Sequence, residues 1–333
     1  MVPDLLALVL LLGITAYSVA GGVDFGAGIW DLLAGNSARG RDARALIDHA
    51  MAPVWEVNNV WLVLSIVVCW TAFPPLFETA FLSLYPLFTL ALIGLILRGA
   101  FFAFRHVARD GRGRRVADIV FGASSVLTPF FFAASLGAIA SGNVGARSAF
   151  EVSFSAMAIG FGLVSVAATA FSGAAFLVGD ARRYGAKELV DYFRRRVIVA
   201  GLALILIGTA ALVVIELEAP SLLSSVLAGH GLPFALLAMA LTPAVMLLAW
   251  LRIYRWYRVL AVAAIGSMVF AWGFAQSPYL LPGRLTIAQA IAPPGTQKVL
   301  LLVTAALVLL VVPSLALLVY LDQKNTLESP ESD

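Results

Sequence analysis

Apolar stretches of about 20 residues follow one another along the chain, separated by short polar runs, and each is long enough to cross a hydrocarbon core about 30 Å thick as an α-helix. Nine spans are predicted, over residues 5–30, 50–72, 79–98, 117–140, 151–178, 197–216, 232–251, 258–275 and 299–321. Lipid offers no partner to a free N–H or C=O, so helices, which close their backbone hydrogen bonds internally, are the expected form. The pattern predicts an all-α polytopic membrane helical bundle: one integral membrane domain over residues 1–333, with a short tail at 322–333 and no separate soluble domain.

Composition agrees, with 61% of the 333 residues hydrophobic and 12% charged, against about 45 to 50% apolar usage in soluble domains. The net charge of +3 is small; the placement of the basic residues says more. All but three of the 22, the exceptions being Arg147, Arg284 and Lys298, fall in the odd-numbered connections or the C-terminal tail. Cytoplasmic loops carry the excess of Lys and Arg, so the C-terminus is predicted to be cytoplasmic, the N-terminus outside and the number of spans odd. Topology accounts for the basic run Arg182 to Arg196 ahead of contact with anionic membrane lipid or a partner, and no nucleic acid is expected to bind. The first 20 residues end in Ser18-Val19-Ala20, as a signal peptide could, but Asp4 is their only charge and a basic start is missing, so span 1 is retained. The single cysteine, Cys69, excludes an intramolecular disulfide and a thiolate metal cluster and reads as a small buried hydrophobe.

Two carboxylate motifs interrupt the apolar pattern: Gly22-Val23-Asp24-Phe25-Gly26-Ala27-Gly28 in span 1, and Pro53-Val54-Trp55-Glu56-Val57-Asn58-Asn59-Val60-Trp61 in span 2. A carboxylate in a membrane costs about 2.5 to 3.5 kcal/mol on insertion scales unless it is paired, hydrated or protonated, and so marks a proton or ion path. Both acids are predicted near the cytoplasmic face. Glu56 shares a helical face with Asn59, while Trp55, Asn58 and Trp61 form an adjoining stripe. The amides can hydrogen-bond a carboxyl or a water. Gly22, Gly26 and Gly28 let another helix approach the backbone around Asp24. A competing reading makes Glu56 and Asn58 interhelical glue and lets Asp24 reach interfacial arginines.

Histidine is scarce: His49 and His106 fall in predicted cytoplasmic loops and His230 in an external one. Haem iron is usually held by His, Met, Cys or Tyr. The six methionines form no constellation with a histidine, so this chain is expected to bind no haem and no metal. No phosphate-binding glycine loop, zinc-ligand spacing or nucleophile elbow occurs. The last external loop, with Trp272-Gly273-Phe274-Ala275-Gln276-Ser277-Pro278-Tyr279, Leu285-Thr286-Ile287 and Ala292-Pro293-Pro294, is predicted to be an ordered cap with little regular structure of its own.

In their order and topology these stretches resemble subunit II of the cytochrome bd-type quinol oxidases, including the cyanide-insensitive branch. The likeness runs over nearly the full chain, on the two acidic motifs, on Leu97-Arg98-Gly99-Ala100-Phe101, on Phe121-Gly122 with Ser125 and Pro129, and on Trp272 to Pro278 with Leu285-Thr286-Ile287. It implies two four-helix groups plus one further helix in a bacterial cytoplasmic (inner) membrane. It also implies a haem-free partner to a larger subunit I, which carries two b-type haems, one d-type haem and the external quinol site. The reaction implied is quinol oxidation coupled to reduction of dioxygen to water without proton pumping. Protons for water come from the cytoplasm, and quinol protons leave on the outer side.

The resemblance places Glu56 on a hydrophilic path from the cytoplasm toward the oxygen-reducing haem, with Asp24 as the second proton-path candidate. Trp55 and Asn58 would order that path, and the glycines pack. A structural quinone in this chain and a small accessory subunit are left open. The chain departs from the family pattern at Glu56, where many members have aspartate; at Gly21, where some have an acid; at Val54, where some have histidine; and at Ala103, where an acid is common. The alternative reading is a proton- or cation-coupled secondary transporter using the same two acids, although no inverted repeat or pair of broken helices is evident.

Overall fold

The computed structural model describes residues 2–35, 37–107 and 112–323; the side chains of residues 51–57, 106, 107, 112, 312, 315, 316 and 318–323 lie outside that description, as does most of the predicted tail. The helices are α1 (Val2–Leu32), α2 (Ala38–Ala72), α3 (Pro74–Ser83), α4 (Tyr85–Val107), α5 (Arg112–Ala140), α6 (Ala149–Ser153), α7 (Ala156–Arg183), α8 (Lys187–Glu218), α9 (Pro220–Ala228), α10 (Leu232–Leu251), α11 (Tyr257–Gln276), α12 (Ile287–Ala290) and α13 (Pro294–Gln323).

Their ends follow local chemistry. The Ser37 hydroxyl accepts from the Gly40 N–H at 3.1 Å and caps α2, and Ser155 accepts from Ala158 at 3.2 Å to cap α7. Ser148 and Glu151 form a reciprocal capping box on α6. Proline suits a first helical turn but cannot extend the helix before it. Pro74 accordingly opens α3 straight after α2, and the chain turns by 115° there.

Among the described residues, eight helices are long and apolar enough to cross a membrane, or nine when Asn58–Ala72 with Pro74–Ser83 counts as one bent span. The third predicted span, 79–98, is displaced. It falls across α3 and α4, with the break at Leu84, because Pro86 lacks the N–H that a continued α3 would need. The apolar span is α4 itself, so Arg98 and Arg105, which the charge pattern assigns to the following connection, lie within a helix.

One four-helix group is formed by α1, α2, α4 and α5, and a second by α7, α8, α10 and α11; α1 and α5 pack on α7, α1 also meets α11, and α13 lies on α2. Glycine faces glycine where α1 crosses α7: a Cβ added to Gly173 would stand 2.6 Å from Gly26 Cα. The last connection holds more regular structure than its sequence suggests. An antiparallel hairpin pairs β1 (Tyr279–Leu281) with β2 (Leu285–Thr286), Gly283 takes φ 72° in the turn, and α12 follows. Gln276 Nε2 donates to the Leu280 carbonyl at 3.0 Å, and the Ala292 N–H donates to the Ala72 carbonyl at 2.8 Å, which ties this cap to the bend after α2.

Candidate functional site

Asp24 and Asp31 on α1 are seven residues apart, as are Arg98 and Arg105 on α4. Seven residues are two turns, about 10.5 Å along the axis, so each pair lies on one helix face. Asp24 meets Arg98 and Asp31 meets Arg105. α5 lays Asp118, Phe121 and Ser125 along one face against them, and α2 contributes Asp48 and Asn58. The result is two polar layers inside the first helix group.

The inner layer is a directed hydrogen-bonded set. Arg98 Nη2 donates to Asp24 Oδ1 at 2.6 Å and to the Asp24 carbonyl at 2.9 Å, and Arg98 Nη1 donates to the Ser125 hydroxyl. Asn58 Nδ2 makes a longer 3.5 Å contact with Asp24 Oδ2. Both charged side chains are 1% exposed. Burying either alone would cost several kcal/mol, whereas a hydrogen-bonded pair carries no net charge into the interior. The guanidinium carbon lies 4.9 Å from the Phe25 ring centre and 4.5 Å from that of Phe121. Gly28 makes room, since a Cβ there would stand 2.8 Å from Arg98 Nη1 and 2.7 Å from Ser125 Cβ.

The outer layer lies toward the arginine-bearing end of the group. Arg105 is 2% exposed and touches three carboxylates from three helices: Asp31 at 3.1 Å, Asp48 at 3.0 Å and Asp118 at 3.0 Å. Arg44 stands 3.6 Å from Asp31, and Arg114 stands 3.5 Å from Asp48 and 3.4 Å from Asp118. Three acids and three arginines balance in charge. The Arg105 contacts lack the angles of directed hydrogen bonds, so charge and proximity hold this layer, which opens to the surface through Asp48, Asp118 and Arg114.

Of the site residues predicted from sequence, the structure brings Asp24 and Asn58 together. Asn59 and Trp61 are half-buried on α2, where the Trp61 carbonyl accepts from Ser65 Oγ at 2.8 Å. Trp55 and Glu56 fall within α2 and their side chains are outside the described residues. Gly22 faces Ser172, whose Cβ would stand 3.4 Å from a Cβ added at Gly22, Gly26 faces Gly173, and Gly28 backs the Arg98–Ser125 contact. Sequence reasoning did not single out Asp31, Asp48, Asp118 or Arg105 as site residues. The matched seven-residue spacings on α1 and α4 were the available signal.

A separate cavity of about 350 Å³ lies above the inner layer, with apolar walls that include Leu10, Phe25 and Phe132. Three buried polar atoms among its lining residues have no hydrogen-bond partner among the described residues: Tyr17 Oη, Trp272 Nε1 and Gln276 Oε1. Tyr17 and Trp272 can donate and Gln276 Oε1 accepts, a set that suits an apolar molecule carrying one or two polar groups. Among the described residues, no group of three or more His, Cys, Asp or Glu side chains is placed to hold a metal ion.

Comparison with known proteins places this geometry in context. The chain is similar to subunit 2 of the cytochrome bd ubiquinol oxidase of Bacillus subtilis (strain 168), 32% identical over 109 residues, which are 33% of this chain and 31% of that protein. It is also similar to subunit 2 of the cytochrome bd-I ubiquinol oxidase of Escherichia coli (strain K12), 29% identical over 138 residues, 41% of this chain and 35% of that protein. The matched stretches thus span about a third of those relatives' lengths. The fold is that of a chain in the bd oxidase of Geobacillus thermodenitrificans, with a TM-score of 0.74 at 22% identity, covering 98% of this chain and 100% of that one. The family described as cytochrome bd terminal oxidase subunit II matches residues 2–321, and this multi-pass membrane chain belongs to it.

Proposed function

We propose that the chain is the second subunit of a bd-type quinol oxidase in a bacterial cytoplasmic membrane, active only in complex with a larger, haem-bearing subunit I. The observation that carries this reading is the family match over residues 2–321. The complex would oxidise quinol and reduce dioxygen to water, with the b and d haems of the larger subunit supplying the electron transfer and oxygen chemistry. The excess of Lys and Arg in alternate connections supports an N-terminus outside and a C-terminus in the cytoplasm. The outer layer then faces the cytoplasm, the source of protons for water. Exposed apolar side chains such as Ile96, Leu206, Met239 and Leu309 face lipid or the larger subunit.

Within this chain, Glu56 of α2 is assigned to proton carriage, with Asp24, which Arg98 pairs at the centre of the first group, as the second carrier. The cavity suits a structural quinone, whose ring carbonyls would accept from Tyr17 and Trp272 while its tail lay on the apolar wall. A reduced-minus-oxidised absorption spectrum of the complex purified through a tag on this chain tests the reading. Haem b and d bands in stoichiometric yield with a second, larger subunit are expected; a folded preparation lacking both would sink it and direct attention to proton-coupled uptake. Glu56→Gln is expected to lower oxygen consumption per haem while haem content holds, and unchanged turnover at saturating quinol would remove Glu56 from the path.

A further inference from the structure

Phe121 touches both layers. Its side chain is fully buried, with the Arg98 guanidinium carbon 4.5 Å and the Arg105 guanidinium carbon 4.6 Å from the ring centre. Those two cations stand two turns apart on α4, so the ring lies between them. α5 fixes it there by the contacts on either side along the same face, Asp118 with Arg105 and Ser125 with Arg98.

The two layers differ in a way that matters for proton movement. Asp24 is gripped by directed bonds from one arginine. Asp31 sits in a looser set, faced by Arg44 of α2 and Arg105 of α4, with Asp48 of α2 and Asp118 and Arg114 of α5 around the same Arg105. Carboxylates that share one cation without fixed geometry can exchange partners, and two of the three reach the surface. A proton moves between groups only across hydrogen bonds of about 2.6 to 3.2 Å, directly or through water. The interval from Asp31 to Asp24 is two turns of α1, far beyond one such step, and Phe121 occupies the ground between their partner arginines. Beside the ring, Arg98 Nε on the inner side and Arg105 Nη1 on the outer side are buried without a hydrogen-bond partner among the described residues.

We propose that Phe121 is the gate of a proton-uptake branch through this group, an inference that rests on the oxidase reading above. With the ring seated, the outer layer exchanges protons with the cytoplasm but not with the inner layer. When the ring swings aside, water takes its place and links Asp31 to the inner layer, using Arg98 Nε and Arg105 Nη1 as anchors. The step moves a proton alone. It leaves a carboxyl oxygen of Asp31, passes along the water and is taken up transiently at Asp24 Oδ2, the oxygen that Arg98 does not hold, while Arg98 keeps its bonds to Asp24 Oδ1 and the Asp24 carbonyl; no electron moves. Phe121 acts here as a positioning residue, by controlling where water stands.

The test uses the whole complex, purified through a tag on this chain, with oxygen consumption per haem measured at saturating quinol in H2O and in D2O. Phe121→Trp is expected to lower turnover about fivefold at unchanged quinol KM and to raise the H2O/D2O rate ratio, because passage across the gate becomes limiting. Asp31→Asn, which removes the proton-loading group ahead of the gate, is expected to lower turnover with the same rise in the ratio. Wild-type turnover and ratio in an assembled Phe121→Trp or Asp31→Asn complex overturns the gate. So does fewer haems with a wild-type rate and ratio per haem, the mark of a purely structural role. If Phe121→Trp fails to assemble, Asp31→Asn decides. A wild-type complex with neither haem nor oxygen consumption overturns the oxidase reading itself.

Discussion

Asp24 and Arg98 illustrate how one buried charge dictates another. Each is 1% exposed, so removing either leaves its partner charged with no compensating group. Arg98→Ala is expected to cost about 3 to 5 kcal/mol of stability, whereas Asp24→Leu combined with Arg98→Met should recover most of that loss, because the charge is then absent from both sides. Thermal unfolding of the purified complex reads the difference; equal losses in the single and double variants would contradict it. The acid was legible in the sequence, since a carboxylate stands out in an apolar run. Its partner was not. Arg98 stands at the predicted end of a span, where topology explains a basic residue equally well, and Phe121, one of 21 phenylalanines, is marked only by the family resemblance, with no local signal for its place between two arginines. Contacts between helices distant in sequence leave no local periodicity to read; only the shared seven-residue step hints at them.

At the scale of helices, close approach depends on where a Cβ is missing. Gly26 and Gly173 face each other across α1 and α7, and a Cβ on Gly26 would stand 2.7 Å from Gly173 Cα. Gly26→Ala is therefore expected to destabilise by about 1 to 3 kcal/mol through overpacking. A Cβ on Gly208 of α8 meets nothing within 4 Å, and Gly208→Ala is expected to be neutral or to stabilise by up to about 1 kcal/mol. Comparing the two unfolding temperatures separates tight contact from mere helix content. Most helices were legible because a membrane span is a long, strong signal. The third was misplaced because an apolar run continues through Leu84 while Pro74 and Pro86 redirect the backbone. Strands of three and two residues, as in the hairpin at Tyr279–Leu281 and Leu285–Thr286, are too short for alternation to reveal.

Across the whole molecule, charge placement and helix packing bear on different questions. The excess of basic residues in alternate connections predicts that a fluorescent protein fused to the C-terminus will fluoresce in the cytoplasm, while a phosphatase that matures only outside will be inactive there; the reverse pattern would invert the proposed orientation. Packing instead sets how the chain can change in length. The rungs Asp24–Arg98 and Asp31–Arg105 stay matched only while seven positions separate them on both α1 and α4, with Asp118 and Ser125 keeping the same count on α5. One residue inserted between Asp24 and Asp31 would turn everything beyond it by about 100°, carrying the second acid away from Arg105 while the first kept its partner. These three helices therefore act as a ruler: connections between spans are free to lengthen or shorten over evolutionary time, but the intervals 24–31, 98–105 and 118–125 are not, and insertions in relatives are expected to fall outside them.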